Sequence, residues 1–323
     1  MRKNLLVTGG SGFVGTNLLK EFSKLKKYRI FATYFKARNF FKVAKVNYIK
    51  IDLENPKNCQ KICKNMNIVV MCAANSSGAA VIDKTPLVHL TPNIRMNLNM
   101  LEAAHYQGVE KFVFISSNTV YPVNNFAMKE TDAKFSFFEK YYIVGWMKRF
   151  SEIVCEIYSK KIKNPMKTII IRPGNLYGPH DKFDLEQAKV IPSLIVKAAN
   201  RQNPFNVWGN GKDLKDFLYI KDFCRILTKI INKNNVHFNI LNIASGKSVT
   251  INKVLKILLK IENLKNIKIL YDESKPTMLP KRLISISKIK NELKYRRFTT
   301  LKQGLKKTLN WYKKNYDYYK NTV

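Results

Sequence analysis

Gly9, Gly12 and Gly15, spaced by three behind the apolar run Leu5-Leu6-Val7, are placed to hold a phosphate. Gly9 permits a tight strand-to-helix turn, Gly12 lets backbone approach a pyrophosphate with no side chain in the way, and Gly15 lets the helix pack closely on the strand. The anion would lie against the backbone from Gly12 through Phe13 and Val14, where unpaired N–H groups and the helix dipole favour negative charge. Such triplets also occur in plain structural turns. The position of this one, after the first strand and ahead of Leu18, Leu19 and Phe22 at helical spacing, selects a dinucleotide cradle. A second informative set is Tyr34-Phe35-Lys36-Ala37-Arg38, at a place where NAD-selective sites usually carry an acid for the ribose hydroxyls. Lys36 and Arg38 suit a 2′-phosphate instead, which favours NADP over NAD; the bland alternative is that both belong to the basic surface.

The elements that must position these residues follow in order. Strands are expected at Tyr28 to Tyr34, Tyr48 to Ile51, Ile68 to Cys72, Lys111 to Ile115 and Thr168 to Arg172, with helices at Asn93 to Gln107 and Tyr141 to Lys160. This alternation implies an α/β fold with a doubly wound parallel Rossmann sheet, whose ligands bind beyond the carboxyl ends of the strands. Asp52 and Leu53 then fall where a short acceptor meets an adenine, and the small residues Ala73 and Ala74 let backbone pass close to a flat ligand. Ser117 is placed at the cofactor by the same topology. Beyond Pro173 the chain is punctuated by glycine and proline, which reads as a less regular, mixed substrate-binding region. Phe217 to Ile220 and Asn239 to Ile243 look like strands returning to the first domain. The expected division is therefore 1–172 plus about 207–245 for the dinucleotide domain, and about 173–206 with 246–323 for the substrate domain.

The 323 residues carry a formal charge of +36, but the lysines are spread along the whole chain. That spread argues for compositional drift over a nucleic-acid footprint, while the resulting field favours an anionic small substrate. Five cysteines without a CxxC pair and four scattered histidines give no zinc spacing, so no metal is expected. No run of eighteen apolar residues occurs, and Met1-Arg2-Lys3 leads straight into a strand, so the expectation is a cytoplasmic protein without a membrane span.

Taken together, Thr8 to Gly15, Asp52-Leu53, Asn93 to Asn99, Ser116 to Tyr121 and Arg172-Pro173-Gly174-Asn175-Leu176-Tyr177-Gly178-Pro179 resemble the extended short-chain dehydrogenase/reductase family of nucleotide-sugar epimerases, dehydratases and reductases. Asn175 to Asp184, Val190-Ile191-Pro192, Trp208 to Gly211 and Asp216-Phe217-Leu218 are similar to its members that act on GDP-linked 4-keto-6-deoxy sugars. The resemblance implies that Ser117 hydrogen-bonds the sugar oxygen that changes oxidation state and that Lys148 binds the nicotinamide ribose. It places Asn175, Val190, Trp208, Lys215 and Arg282 against a nucleotide-diphosphate sugar, and it implies a homodimer formed through Asn93 to Gln107 and Tyr141 to Lys160.

Two positions depart from the family pattern. The acid/base tyrosine expected four residues before Lys148, one helical turn away, is Val144. Tyr141 and Tyr142 precede Lys148 by seven and six residues, so a regular helix puts them too far along the axis or on another side. Lys189 stands where the GDP-sugar members carry an acid histidine. It is a candidate for the proton path or, equally, a phosphate or surface lysine.

Overall fold

The computed structural model describes residues 2–37, 39–76, 85–233, 236–275 and 279–320, apart from the side chains of residues 86, 319 and 320. The first half alternates β1 (Lys3–Val7), α1 (Phe13–Phe22), β2 (Tyr28–Tyr34), β3 (Val46–Lys50), α2 (Pro56–Cys63), β4 (Ile68–Met71), α3 (Thr91–Tyr106), β5 (Lys111–Ile115), α4 (Tyr142–Lys160) and β6 (Lys167–Pro173). The second half contains β7 (Asn175–Tyr177), α5 (Val190–Ala199), β8 (Phe205–Trp208), β9 (Leu214–Tyr219), α6 (Ile220–Ile231) and β10 (Phe238–Ile243). It continues with β11 (Ser248–Thr250), α7 (Ile251–Ile261), β12 (Ile269–Asp272), α8 (Ser287–Glu292), α9 (Leu301–Lys314) and α10 (Tyr316–Lys320).

Seven strands form one parallel sheet in the order β10-β6-β5-β4-β1-β2-β3. The strand order reverses between β1 and β4, which opens a crevice at their carboxyl ends. Successive residues of β1 serve opposite faces: Leu5 and Val7 join the core under α1 and α6, and Leu6 joins the core under α2, α3 and α4. A strand covered on both faces reads as a continuous apolar run, which is why its period of two is invisible in sequence. Each fully buried side chain such as Phe22 or Phe112 contributes about 1.5–3 kcal/mol through removal from water.

The second region is more regular than its punctuation suggests. Helices α5, α7 and α9 enclose a third core around Tyr177, Phe205 and Tyr219. Two small sheets, β11-β9-β7 and β12-β8, complete it. This corrects the expectation that Phe217 to Ile220 is a strand returning to the first domain. The chain peels away from the large sheet at Pro173-Gly174, and Asn175 to Tyr177 pair with Phe217 to Tyr219 instead. The return is made by α6, whose Phe223, Ile226, Leu227 and Ile230 pack in the α1 core, and then by β10 beside β6. No described helix is long and apolar enough to cross a membrane.

Candidate active site

Backbone crowding fixes the glycine turn. Gly9 has φ +66°, and a Cβ there would lie 2.9 Å from the Ala73 Cα. At Gly15 a Cβ would come within 2.2 Å of the Gly9 carbonyl oxygen. Thr8 locks the two neighbouring strand ends together, its hydroxyl accepting from the amides of Cys72 and Ala73 at 3.0 Å each. Gly12 is different: a Cβ would meet only the Gly9 carbonyl of its own turn, at 3.3 Å. Gly12 is exposed and is the N-cap of α1, with no capping side chain and no acidic residue in the first turn. Phe13 and Val14 are partly buried against the core. An uncapped helix start with bare backbone in front of it fits a pyrophosphate.

Toward β3, Asp52 accepts from the Glu54 amide at 2.9 Å and borders a hollow of about 450 Å³ shared with Phe35, Ile51, Asn58 and Lys61. The Leu53 side chain lies in the core, whereas Ala74 is exposed beyond β4. Lys36 is exposed, with its ammonium 5.8 Å from the Phe35 ring centre. Arg38 lies outside the described residues.

At the end of β5, the Lys148 ammonium donates to the Ile115 carbonyl at 2.9 Å and sits over the Phe114 ring. Burial lowers its pKa to about 8. Half-buried Ser117 caps the next turn, its hydroxyl accepting from the Thr119 amide at 3.1 Å. One turn beyond Lys148, Glu152 anchors a network that sequence reasoning missed. Ser116 donates to one Glu152 oxygen at 2.6 Å, and Arg172 grips both, through Nε at 2.8 Å and Nη2 at 2.7 Å. Arg172 also donates to the Tyr121 hydroxyl at 2.9 Å, and Tyr121 donates to Asn242 at 2.7 Å. The only signals in sequence were the adjacency of Glu152 to the Lys148 turn and an arginine ending a strand.

Val144 is half-buried on the first turn of α4. The two tyrosines before it have different surroundings. Tyr142 is 51% exposed and meets Phe137 edge-on. Tyr141 lies within the field of Arg282: burial pushes its hydroxyl up to about 12, against the opposing pull of that charge.

Arg282 is 2% exposed and donates through Nη1 to the carbonyls of Tyr121 at 3.1 Å and Pro122 at 3.2 Å. Its Nε and Nη2 have no hydrogen-bond partner among the described residues. Lys215 is buried nearby, donating to the Leu279 carbonyl and pairing with Asp213 at 3.2 Å. Burial lowers its pKa, and so to a smaller degree does the Arg282 charge. Asn175 donates to the Asp216 carbonyl at 3.2 Å. Lys189 is exposed at the N-cap of α5, Val190 begins that helix exposed, and Trp208 is 41% exposed at the end of β8. Lys189 nevertheless lies close enough to buried Asp181 to counter the rise of its pKa to about 7 caused by burial. The structure thus sets the glycine turn against Ala73 and Lys215 near Arg282, places Ser117 and the Lys148 ammonium both at the end of β5, and leaves Lys36, Val190 and Trp208 exposed. Among the described residues no group of three or more His, Cys, Asp or Glu converges as for a metal.

A seven-stranded Rossmann sheet with an open glycine turn and a Ser/Lys pair at the strand ends defines a class of nicotinamide-dependent enzymes. The chain belongs to the NAD dependent epimerase/dehydratase family, whose model matches residues 5–244. It is 27% identical over 316 residues to a GDP-L-fucose synthase of Sinorhizobium fredii, covering 95% of this chain and 94% of that one. A dTDP-4-dehydro-6-deoxy-D-allose reductase of Streptomyces is 24% identical, with 96% of each covered. Among solved structures, the UDP-glucose 4-epimerase of Thermotoga maritima shares the fold with a TM-score of 0.84 at 23% identity, covering 97% of this chain and 99% of that one.

Proposed function

We propose that the protein binds NADP, in preference to NAD, together with a GDP-linked 4-keto-6-deoxy sugar, and carries out a slow redox or epimerisation reaction at the sugar. The observation that carries the nucleotide-sugar reading is Arg282: a buried guanidinium with two donors left open beside Lys215 is suited to a diphosphate. Likeness to relatives named for GDP-linked substrates supports the choice of nucleotide. The nicotinamide supplies hydride chemistry when bound. The chain's own residues do the rest. The open turn from Gly9 to Gly15 holds the pyrophosphate, Asp52 and Ala73 frame the adenine, and Lys36 with Arg38 meets the 2′-phosphate. Ser117 holds the reacting sugar oxygen, Lys148 holds the nicotinamide ribose and replaces the missing phenol as proton donor, and Lys189 stands at the substrate mouth. Asn175, Val190 and Trp208 line the sugar nucleotide. Pairing of two copies through α3 and α4 would cover Trp146, which stacks on Phe150, and exposed Ile157.

Mixing concentrated protein with NADPH and GDP-4-keto-6-deoxymannose should give slow loss of the reduced-nicotinamide absorbance. Val144 favours one other reading, a binding protein that has lost catalysis. Retained binding of both ligands without turnover on any GDP-, dTDP- or UDP-linked sugar would select it. A second expectation concerns pH. Lys148, at about 8, is cationic at pH 7 and mostly neutral at pH 9. If the charged form is the one that binds, NADP affinity falls as pH rises, by roughly tenfold between those values. Calorimetric titration at both pH values checks this, and equal affinities would remove Lys148 from the ribose.

A further inference from the structure

The segment after β2 carries Lys36 and Arg38 in sequence, and its far end is held by the C-terminus of the chain. The Phe41 ring lies 4.4 Å from Tyr318, 4.5 Å from His180 and 5.6 Å from Trp311, centre to centre. Tyr318 of α10 also donates its hydroxyl to the Asn39 carbonyl at 3.1 Å. On the strand side, Phe40 packs against Tyr34 at 4.9 Å and Tyr48 at 5.3 Å, and the Val43 amide donates to the Tyr48 hydroxyl at 3.0 Å. His180 belongs to the loop after β7 and is itself tied to α1, where the Lys20 ammonium lies 2.6 Å from its Nε2. Burial, reinforced by the Lys20 charge, pushes this imidazole down to about 3, so it is neutral near pH 7 and accepts from Lys20. One aromatic knot therefore joins three parts of the chain: the segment after β2, the His180 loop and the last two helices.

We propose that Phe41 and Tyr318 are positioning residues that set the preference for a 2′-phosphorylated dinucleotide, by holding the segment that leads from Lys36 in its binding conformation before the cofactor arrives. The inference rests on the dinucleotide reading above and adds a determinant far from the phosphate itself. A long, charged and exposed side chain such as Lys36 on a freely moving loop would have to be ordered on binding, and that ordering subtracts from affinity. A loop already pinned at Asn39 and Phe41 loses little. The effect is selective, because NAD makes no contact that depends on the 2′-phosphate, while its pyrophosphate and adenine are held by the turn after β1 and by Asp52.

The test is calorimetric titration of the full-length protein with NADP and with NAD, for the native chain and for Phe41→Ala, Tyr318→Phe and Phe41→Tyr. Phe41→Ala should weaken NADP about tenfold and NAD less than about twofold; Tyr318→Phe should weaken NADP about threefold; Phe41→Tyr should retain native preference. Equal loss for both dinucleotides, as from general loosening, would overturn the proposal. So would unchanged NADP affinity in variants that fold with native melting temperature. If the native chain bound neither dinucleotide, the functional reading itself would fall, and this inference with it.

Discussion

Replacing Val144 by tyrosine is expected to raise turnover of a GDP-linked 4-keto sugar by about 10²-fold or more. Position 144 lies one helical turn before Lys148, so the two side chains leave α4 on the same face, toward the end of β5 where Ser117 also sits. A phenol there would stand next to a buried ammonium, and a nearby positive charge lowers a phenol pKa toward the range useful for proton transfer. The supporting shell is present. Gly145 already packs tightly against Phe137 and the Thr119 carbonyl, so the helix cannot easily shift, and Glu152 fixes the next turn through Arg172. Nicotinamide absorbance under single-turnover conditions is the measurement. A gain that disappears when Lys148→Met is added would identify the restored pair, whereas no gain despite retained binding of both ligands would mean that the pocket has eroded elsewhere.

Arg172→Met is expected to destabilise the fold by about 3–5 kcal/mol, because it leaves the Glu152 carboxylate buried without its partner. The pair is almost fully buried, and among the described residues the carboxylate would retain only Ser116 and the more distant Arg149 Nη1 at 3.2 Å. The melting temperature should fall on the order of 10 °C. Adding Glu152→Leu should recover part of this loss, since two apolar residues of matching volume cost far less than one stranded charge. Urea titration of the three proteins decides the point. Additive losses in the double variant would show that the pair is not coupled as its geometry implies.

What could be recognised from sequence follows the distance over which each feature is encoded. The glycine turn, the strand ends at Asp52 and Ser117 and the helix carrying Lys148 are local patterns, each written within about ten residues, and the first three follow the carboxyl ends of strands in one parallel sheet. The partner of Glu152 could not be found this way, because Arg172 lies on another element and no local rule joins them. Strand β9 failed for the same reason. Its sequence is compatible with either sheet, and its place is decided by β7 and β11, residues about forty and thirty positions away. The glycines and prolines beyond Pro173 mark real turns, but they hid α5 and α7, whose apolar faces meet each other only in the assembled core. Tyr141 is the most instructive of these. Spacing removed it from the nicotinamide, yet only its surroundings reveal that it answers to Arg282.

Strand β10 is the last to join the large sheet, and it does so only after the chain has made β7, α5, β8, β9 and α6. During synthesis the outer edge of β6 therefore emerges bare and waits for its neighbour. At translation rates of about 5–20 residues per second, the delay is several seconds. An unpaired apolar strand is a template for foreign chains over that interval, so a ribosome-bound chain halted shortly after β6 would be a client for chaperones.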